Sequence, residues 1–272
     1  IPTEKAHGIQ IMKMCEAFTR RGYEVELVVP KRFSQIKSDP FEYYSTEKIF
    51  SIKKVPVIDL IKFGKFGFYI ESVSFALSSF FYVFFKRSAI IFGRDEQSLM
   101  LISFFRKVIW ETHTSIYNRA AKILLSREPL MVSITSGLKN FYTSKGFDSK
   151  KILVASDGVD EKLFEVSMSR DEARNALKLP IGKKIVLYTG HLYDWKGAHA
   201  LADAARNLPS DTLAYFVGGT EGDIGSFNEQ FEAIPNIRIL GKKPYAEIPL
   251  YLKAADVLII PNSAKSDISS LY

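Results

Sequence analysis

Short apolar runs alternate with helix-length segments along the whole chain, and this alternation limits the fold more than any other feature. "EVELVVP" (24–30), "AIIFG" (89–93), "VIWET" (108–112), "MVSIT" (131–135) and "ILVAS" (152–156) read as buried strands, with helical patterns near 9–21, 66–86, 96–105 and 136–145 between most of them. Strands that are apolar on both faces and joined through helices form parallel sheets covered on both sides. A polar stretch, "DGVDEKLFEVSMSRDEARNALKLPIGKK", then holds a short helix, ends near Pro180 and Gly182, and reads as a linker. Beyond it the pattern restarts with "KIVLYTG", "LAYFVGG" (213–219), "IRILG" (237–241) and "VLIIP" (257–261), separated by helices in "AHALADAARNL", 223–233 and "AEIPLYLKAA". The expectation is an α/β protein of two doubly wound parallel-sheet domains, 1–165 and 166–272. Residues 1–8, "IPTEKAHG", read as the loop after a first strand, and the chain stops at Tyr272 just after its last strand, so both domains are expected to be incomplete.

Composition narrows the class of partner. With 272 residues, 47% hydrophobic and 25% charged, the chain can fill two cores and is too apolar for disorder. The single Cys15 shares a helical face with Ile11, Met14 and Phe18, which makes it a small core residue suited to a reducing compartment. The net charge of +7 is concentrated early. Between 31 and 65, Lys31, Arg32, Lys37, Lys48, Lys53, Lys54, Lys62 and Lys65 face only Asp39, Glu42, Glu47 and Asp59. Without zinc-finger spacing, an RNP-like aromatic segment or a helix-turn-helix, no nucleic-acid partner is expected, and an anionic membrane surface or an anionic substrate remains.

Residues 66–85, "FGFYIESVSFALSSFFYVFF", are long enough to span a bilayer and are flanked by Lys62, Lys65, Lys86 and Arg87. Glu71, Ser74 and Ser78 nevertheless fall on one helical stripe and Ile70, Val73, Leu77, Phe80, Phe81 and Phe84 on another. That is the pattern of a helix half covered by protein, so a packed or interfacial helix is expected rather than a span.

The stretch "LYTGHLYDWKGAHAL" (187–201) runs from a strand through a loop with His191, Asp194, Trp195 and Lys196, closes on Gly197 and opens a helix. Free backbone N–H groups and a helix N-terminus meet an anion in such loops, so a phosphate is the expected ligand. Gly8 stands immediately before the first helical pattern, where a strand-to-helix loop faces the ligand crevice, but no G-x-G-x-x-G accompanies it. His113 follows "VIWET" at the carboxyl end of a strand, with Glu111 two residues earlier. No Ser-His-Asp set, metal-ligand spacing or Asp-x-Asp pair is present, so side-chain cations and backbone amides must neutralise a diphosphate and no metal cofactor is expected.

Taken together, "HGIQIMKMCEAFTRRGYEVELVVP", "IIFGRD" (90–95), "WETH" (110–113), "VSITSGLKNFY" (132–142), "ASDGVDEKLF" (155–164), "LYTGHLYDWKG" (187–197) and "IPNIRILGKKPYAEIPLYLKAADVLIIPNS" (234–263) resemble the GT-B fold retaining glycosyltransferases of family 4, the glycosyl transferases group 1. They keep the family's order and cover most of the chain except 31–88. The resemblance implies two Rossmann-like domains, the second holding most of a nucleotide-sugar donor. Lys196 matches the family's diphosphate-gripping Lys, while His191 replaces an Arg. Gly8 and Gly190 are implied at the diphosphate, and Gly219, Gly241 and Lys242 at the nucleoside. His113 is implied at the hydroxymethyl edge of the donor sugar, with a catalytic role beside Lys196. Asp157 stands for the usual Asn in the "ASDGVD" segment. The family's pair of Glu normally follows the "LIIPNS" strand, so this 272-residue piece alone is expected to bind a nucleoside diphosphate weakly and to transfer no sugar.

The implied reaction is transfer of a hexosyl group from a nucleotide-sugar to a glycan or lipid-linked acceptor with retained configuration. Lys196 stabilises the leaving diphosphate, whose oxygen takes the acceptor's proton. The expected location is the cytoplasm, at the cytoplasmic face of a membrane. A nucleotide-sugar epimerase of related fold and a non-catalytic, membrane-associated relative are the alternatives; "GHLYDWKG" argues against the first, and donor hydrolysis separates the second.

Overall fold

The computed structural model describes residues 1–3, 6–34, 36–86 and 90–261. The chain divides into two compact units, one taking in Ile1–Glu42 and Thr46–Gly158, the other the chain from Val159 onward.

In the first unit, α1 (Ala6–Arg20), β1 (Glu26–Lys31), α2 (Pro40–Tyr43), β2 (Ser51–Pro56), α3 (Gly64–Phe84), β3 (Ile91–Gly93), α4 (Glu96–Ile102), β4 (Val108–Thr112), α5 (Arg119–Ser126), β5 (Leu130–Ser133), α6 (Ser136–Ser144) and β6 (Ile152–Val154) follow one another. Strands β3, β4, β5 and β6 form a parallel sheet in that order. Val108, Trp110, Met131 and Ile152 from its strands pack with Leu99, Ile102, Ala121, Leu124 and Tyr142 from α4, α5 and α6. Strand β1 instead pairs with β2 in a separate two-stranded parallel sheet. The sequence pattern put β1 in the same sheet as the later strands; among the described residues no strand bridges β1 and β3, so no ladder joins them.

Several elements were invisible to the pattern, among them α2, β2 and α5. In β2, "SIKKVP", only Val55 is buried while Lys53 and Lys54 are exposed, so the strand lacks a hydrophobic signature. Helix α5 starts where the Asn118 side chain accepts the Ala121 N–H at 2.9 Å, a short amphipathic segment masked by the polar loop before it. Of "AIIFG", Ala89 lies outside the described residues, as do Asn262 and Ser263 of "LIIPNS" and everything after them.

Helix α3 is half covered, as its two stripes require, but the covered half is the polar one. Gly67, Glu71, Ser72, Ala76 and Ser79 are buried. The Ser78 hydroxyl donates to Pro56 O at 2.6 Å, and the Ser74 hydroxyl accepts the Ile58 N–H at 3.0 Å. A Cβ at Gly67 would sit 1.7 Å from Leu60 O, so the helix approaches the preceding segment through bare backbone.

The second unit contains α7 (Glu161–Phe164), α8 (Arg170–Ala176), β7 (Lys184–Thr189), α9 (Ala198–Ala205), β8 (Thr212–Val217), α10 (Glu221–Phe231), β9 (Ile237–Gly241), α11 (Ile248–Ala254) and β10 (Val257–Leu258). Its parallel sheet has the order β10-β7-β8-β9. Alternation along the two central strands covers both faces. Val186, Tyr188, Ala214 and Phe216 pack under α9 and α10, whereas Ile185, Leu187, Leu213, Tyr215 and Val217 pack with Tyr251 of α11. The expected pair of doubly wound, Rossmann-like α/β domains is therefore the architecture found.

The stretch read as a linker is part of this unit. Its helix α8 opens on a capping box between Ser169 and Glu172 and carries Arg174, which is only 3% exposed. That guanidinium donates to Ala254 O, Ile181 O and Lys183 O and pairs with Asp256. A polar composition concealed a buried cation because two of its partners, Ala254 and Asp256, lie about eighty residues on and the other two are backbone carbonyls, contacts that periodicity does not report.

Candidate functional site

The carboxyl edge of the second unit's sheet is built from backbone that only glycine permits. Gly190 follows β7, Gly218 and Gly219 follow β8, and Gly241 ends β9, all at positive φ. A Cβ at Gly218 would lie 2.2 Å from Gly190 O, and one at Gly219 would press on Ile224 and Leu192 at 3.0 and 3.2 Å. Gly190 N–H donates to Val217 O and Gly218 N–H to Gly241 O, both at 2.9 Å, so these ends are laced together. A register shift between Phe216 and Val217 sets the turn into Gly218.

From this edge the loop 190–197 leads into α9. The Tyr188 hydroxyl, pinned at the end of β7, donates to His191 O at 2.5 Å. The His191 ring stacks on Tyr193 with centroids 4.9 Å apart and planes 4° apart, and Tyr193 stacks on Trp195 at 6.2 Å. Lys196 Nζ sits 4.4 Å from the Trp195 ring centroid and makes no ion pair among the described residues. His191 Nδ1 finds no hydrogen bond there either, although the Asp223 carboxylate is 3.8 Å away. Gly197 turns the chain at φ 75°, and a Cβ on it would lie 1.7 Å from Pro261 O. Lacking a side chain, Gly197 leaves the first N–H groups of α9 without a side-chain cap. A cation, uncapped amides and a glycine-lined edge are what an oxyanion needs.

The first unit carries a second constellation. His113 follows β4, and its loop is held by the buried Tyr142, whose hydroxyl bonds Thr114 O at 3.0 Å, Ile116 O at 3.1 Å and the Thr112 hydroxyl at 3.1 Å. His113 Nε2 stands 3.4 Å from the Glu111 carboxylate, which also receives Arg94 Nε at 2.5 Å. Burial alone would raise the Glu111 carboxyl; the His113 imidazole and the Arg94 guanidinium outweigh it and hold its pKa below the ordinary carboxylate value. Arg94 Nη1 is buried without a hydrogen-bond partner among the described residues. These groups line a cavity of 360 Å³ with His7, Asp95, Trp110 and Thr112.

The sequence-expected residues thus separate into two sets. Gly190, His191, Lys196, Gly219 and Gly241 gather at the carboxyl edge of the second sheet, with Lys242 exposed directly after Gly241. His113 belongs to the first unit's cavity. Gly8 does not precede its helix: α1 begins at Ala6, and Gly8 is buried inside its first turn, next to the cavity-lining His7. Ala6 and His7 offer no barrier to helix, so the element starts earlier than the glycine suggested. Asp157 accepts a hydrogen bond from Gln10 within the first unit. Arg94 and Asp223 were not foreseen in these roles. The first is the residue after β3, and Gly93 pairs with Trp110, so register alone puts Arg94 beside Glu111. The second is the last residue of a T-x-x-D capping box with Thr220, three positions after the cap.

Residues 169–266 match the family model described as glycosyl transferases group 1. The chain is 29% identical over 138 residues to the D-inositol 3-phosphate glycosyltransferase of Corynebacterium urealyticum, across 45% of this chain and 32% of that protein, so it matches under a third of that relative's length. Anabaena HepE, solved with UDP and glucose, superposes with a TM-score of 0.69 at 15% identity, covering 95% of this chain and 71% of that one. Sucrose-phosphate synthase from Thermosynechococcus elongatus gives a TM-score of 0.72 at 17% identity over 95% of this chain and 70% of its own.

Proposed function

We propose, from the GT-B fold of the chain and the group 1 match of its second unit, that the protein is a glycosyltransferase that moves a hexosyl group from a nucleotide-sugar to a glycan or lipid-linked acceptor with retained configuration, as a family 4 enzyme does. The observation that carries this reading is the loop 190–197, where Lys196 stands without a carboxylate partner among the described residues at a glycine-lined sheet edge. A uridine diphosphate sugar is the first donor class to test, because HepE holds UDP and glucose.

As the bond between the anomeric carbon and the phosphate oxygen breaks, negative charge grows on the diphosphate. Lys196, the backbone around Gly190 and the uncapped amides of α9 oppose that charge without first having to reorganise. His191 adds a flat polar face in place of a guanidinium. The departing phosphate oxygen takes the proton of the acceptor hydroxyl, which explains why no separate carboxylate base is needed. Gly219, Gly241 and Lys242 serve the nucleoside, and in the first unit Glu111 fixes the imidazole of His113. No metal takes part in this reading. The protein works in the cytoplasm, on the side of a membrane where a lipid-linked acceptor is reached.

Lys196→Ala in the full-length protein should lower turnover on the order of a hundredfold or more while leaving the melting temperature nearly unchanged, since a solvated loop cation adds little to the fold. Turnover equal to that of the unsubstituted protein would remove the phosphate assignment.

A further inference from the structure

Helix α3 is inverted relative to a soluble surface helix. Phe66, Ile70, Val73, Leu77, Phe81 and Phe84 recur every three or four residues and so share one face, and Phe66, Leu77, Phe81 and Phe84 are 72%, 47%, 58% and 53% exposed. The buried face is small and polar. Water is a poor neighbour for an apolar stripe, half of it aromatic, that runs about 27 Å along the helix, and such a patch marks an interaction surface.

We propose that α3 lies flat on an anionic bilayer surface, with this outward face in the acyl boundary and its lysines at the phosphates. A span is ruled out by the other face. Ser74 and Ser78 are hydrogen-bonded to Ile58 and Pro56, Gly67 is in close approach to Leu60, and Glu71 lies 3.9 Å from Arg32, so the helix cannot leave the unit to cross a membrane. Charge selects lipid over a protein partner. Exposed Lys62 and Lys65 stand at one end of the helix with no ion pair among the described residues, Lys86 stands at the other, where it pairs with Glu26 at 3.3 Å, and Lys53 and Lys86 both lie over the Tyr82 ring. Cations at both ends of an apolar stripe match a sheet of lipid phosphates over an apolar interior, with the lysine stems bridging the two. The surrounding segment adds the eight-to-four basic excess of 31–65. The proposal deepens the membrane-side placement given above and rests on it, while donor chemistry is measured separately.

The test is co-sedimentation of the protein with vesicles of phosphatidylcholine, with and without phosphatidylglycerol, at low and high salt. Pelleting should require phosphatidylglycerol and weaken as salt rises. Leu77→Ser with Phe81→Ser should weaken binding about tenfold for each residue without lowering the melting temperature, because both side chains are exposed. Lys62→Glu with Lys65→Glu should weaken it by roughly fivefold for each charge removed. Equal pelleting on neutral vesicles, or unaltered pelleting of the Leu77→Ser/Phe81→Ser protein, overturns the proposal. So does a dimer in sedimentation velocity that the same substitutions dissolve, since the stripe would then cover a second copy of the chain. Nucleotide-sugar hydrolysis in the same samples separates the two readings: vesicle binding lost with hydrolysis intact leaves the transferase reading standing, and the reverse leaves the docking face standing.

Discussion

Replacing Arg174 by Met tests whether the polar stretch before β7 is a structural part of the second unit. Methionine keeps most of the stem volume and removes the guanidinium, so packing changes little and electrostatics changes much. Four hydrogen bonds go at once, to Ala254 O at 2.9 Å, Ile181 O and Lys183 O at 3.0 Å, and Asp256 at 2.5 Å. Removing one partner of a buried pair costs about 3–5 kcal/mol. Asp256 here retains the Ile185 N–H at 2.7 Å and Arg170 at 2.5 Å, and exposed Ile181 and Lys183 can turn their carbonyls to water. The cost therefore falls near the low end, about 3 kcal/mol.

Native-state hydrogen exchange of β7 reads this locally, independently of the first unit. A loss of about 3 kcal/mol should speed the Ile185 and Leu187 amides on the order of a hundredfold when they exchange through opening of the unit. Acid should act through the same pair. Burial alone would raise the Asp256 carboxyl; the Ile185 amide and the Arg174 and Arg170 guanidinium groups prevail and hold it below its ordinary value. A depressed folded-state pKa gives stability that is present above the unfolded value, about 3.9, and is lost as pH falls through the folded one. The unsubstituted protein should lose β7 protection only below about pH 4, and Arg174→Met, with less of this stabilisation to lose, should show a smaller further loss over the same acid range. Protection in Arg174→Met within about twofold of the unsubstituted protein would refute the account. An Asp256→Asn cost that is the same with and without Arg174 would refute it equally, because directly paired groups must couple.

Two further outcomes bear on the loop. Gly197→Ala should abolish detectable nucleoside diphosphate binding in calorimetry, because its φ of 75° and the Pro261 carbonyl at 1.7 Å from a new Cβ force the loop to move; unchanged affinity would mean that its conformation is irrelevant to the ligand. Chelator-treated full-length enzyme should keep most of its rate, and activity lost with EDTA and restored by magnesium or manganese would contradict diphosphate stabilisation by Lys196 and backbone amides alone.

Where burial is two-sided, the strands were legible. β7 and β8 lie within two residues of where "KIVLYTG" and "LAYFVGG" placed them, since a sheet covered on both faces demands apolar runs. The glycine-lined edge was legible for a related reason: positive φ and close backbone approach restrict the residue type, so Gly190, Gly197, Gly219 and Gly241 announce the geometry in one letter each. Contacts made by polar side chains across long separations left no such trace. Arg174 reaches Asp256 across 82 residues, and Arg94 reaches Glu111 only through strand register. Sequence could supply Arg94 once β3 and β4 were taken as neighbours, because the residues that leave adjacent parallel strands at one edge stand side by side.

At α3 periodicity marked two stripes and left a packed and an interfacial helix both open, because the period alone does not say which stripe meets the rest of the unit. The segment 31–88, the part that resembles the family least, contains β2 and the locally basic run, while β1 ends at its first residue. Diphosphate chemistry is the same for every acceptor, so the loop 190–197 can stay close to a common pattern. An acceptor presented at a membrane imposes a different requirement, an apolar face and a basic rim, and these are met on elements that do not build the donor site. On the proposed function the net charge of +7 has two physical uses: Lys196, without a carboxylate partner among the described residues, would neutralise a diphosphate, and the exposed lysines around α3 would hold a surface.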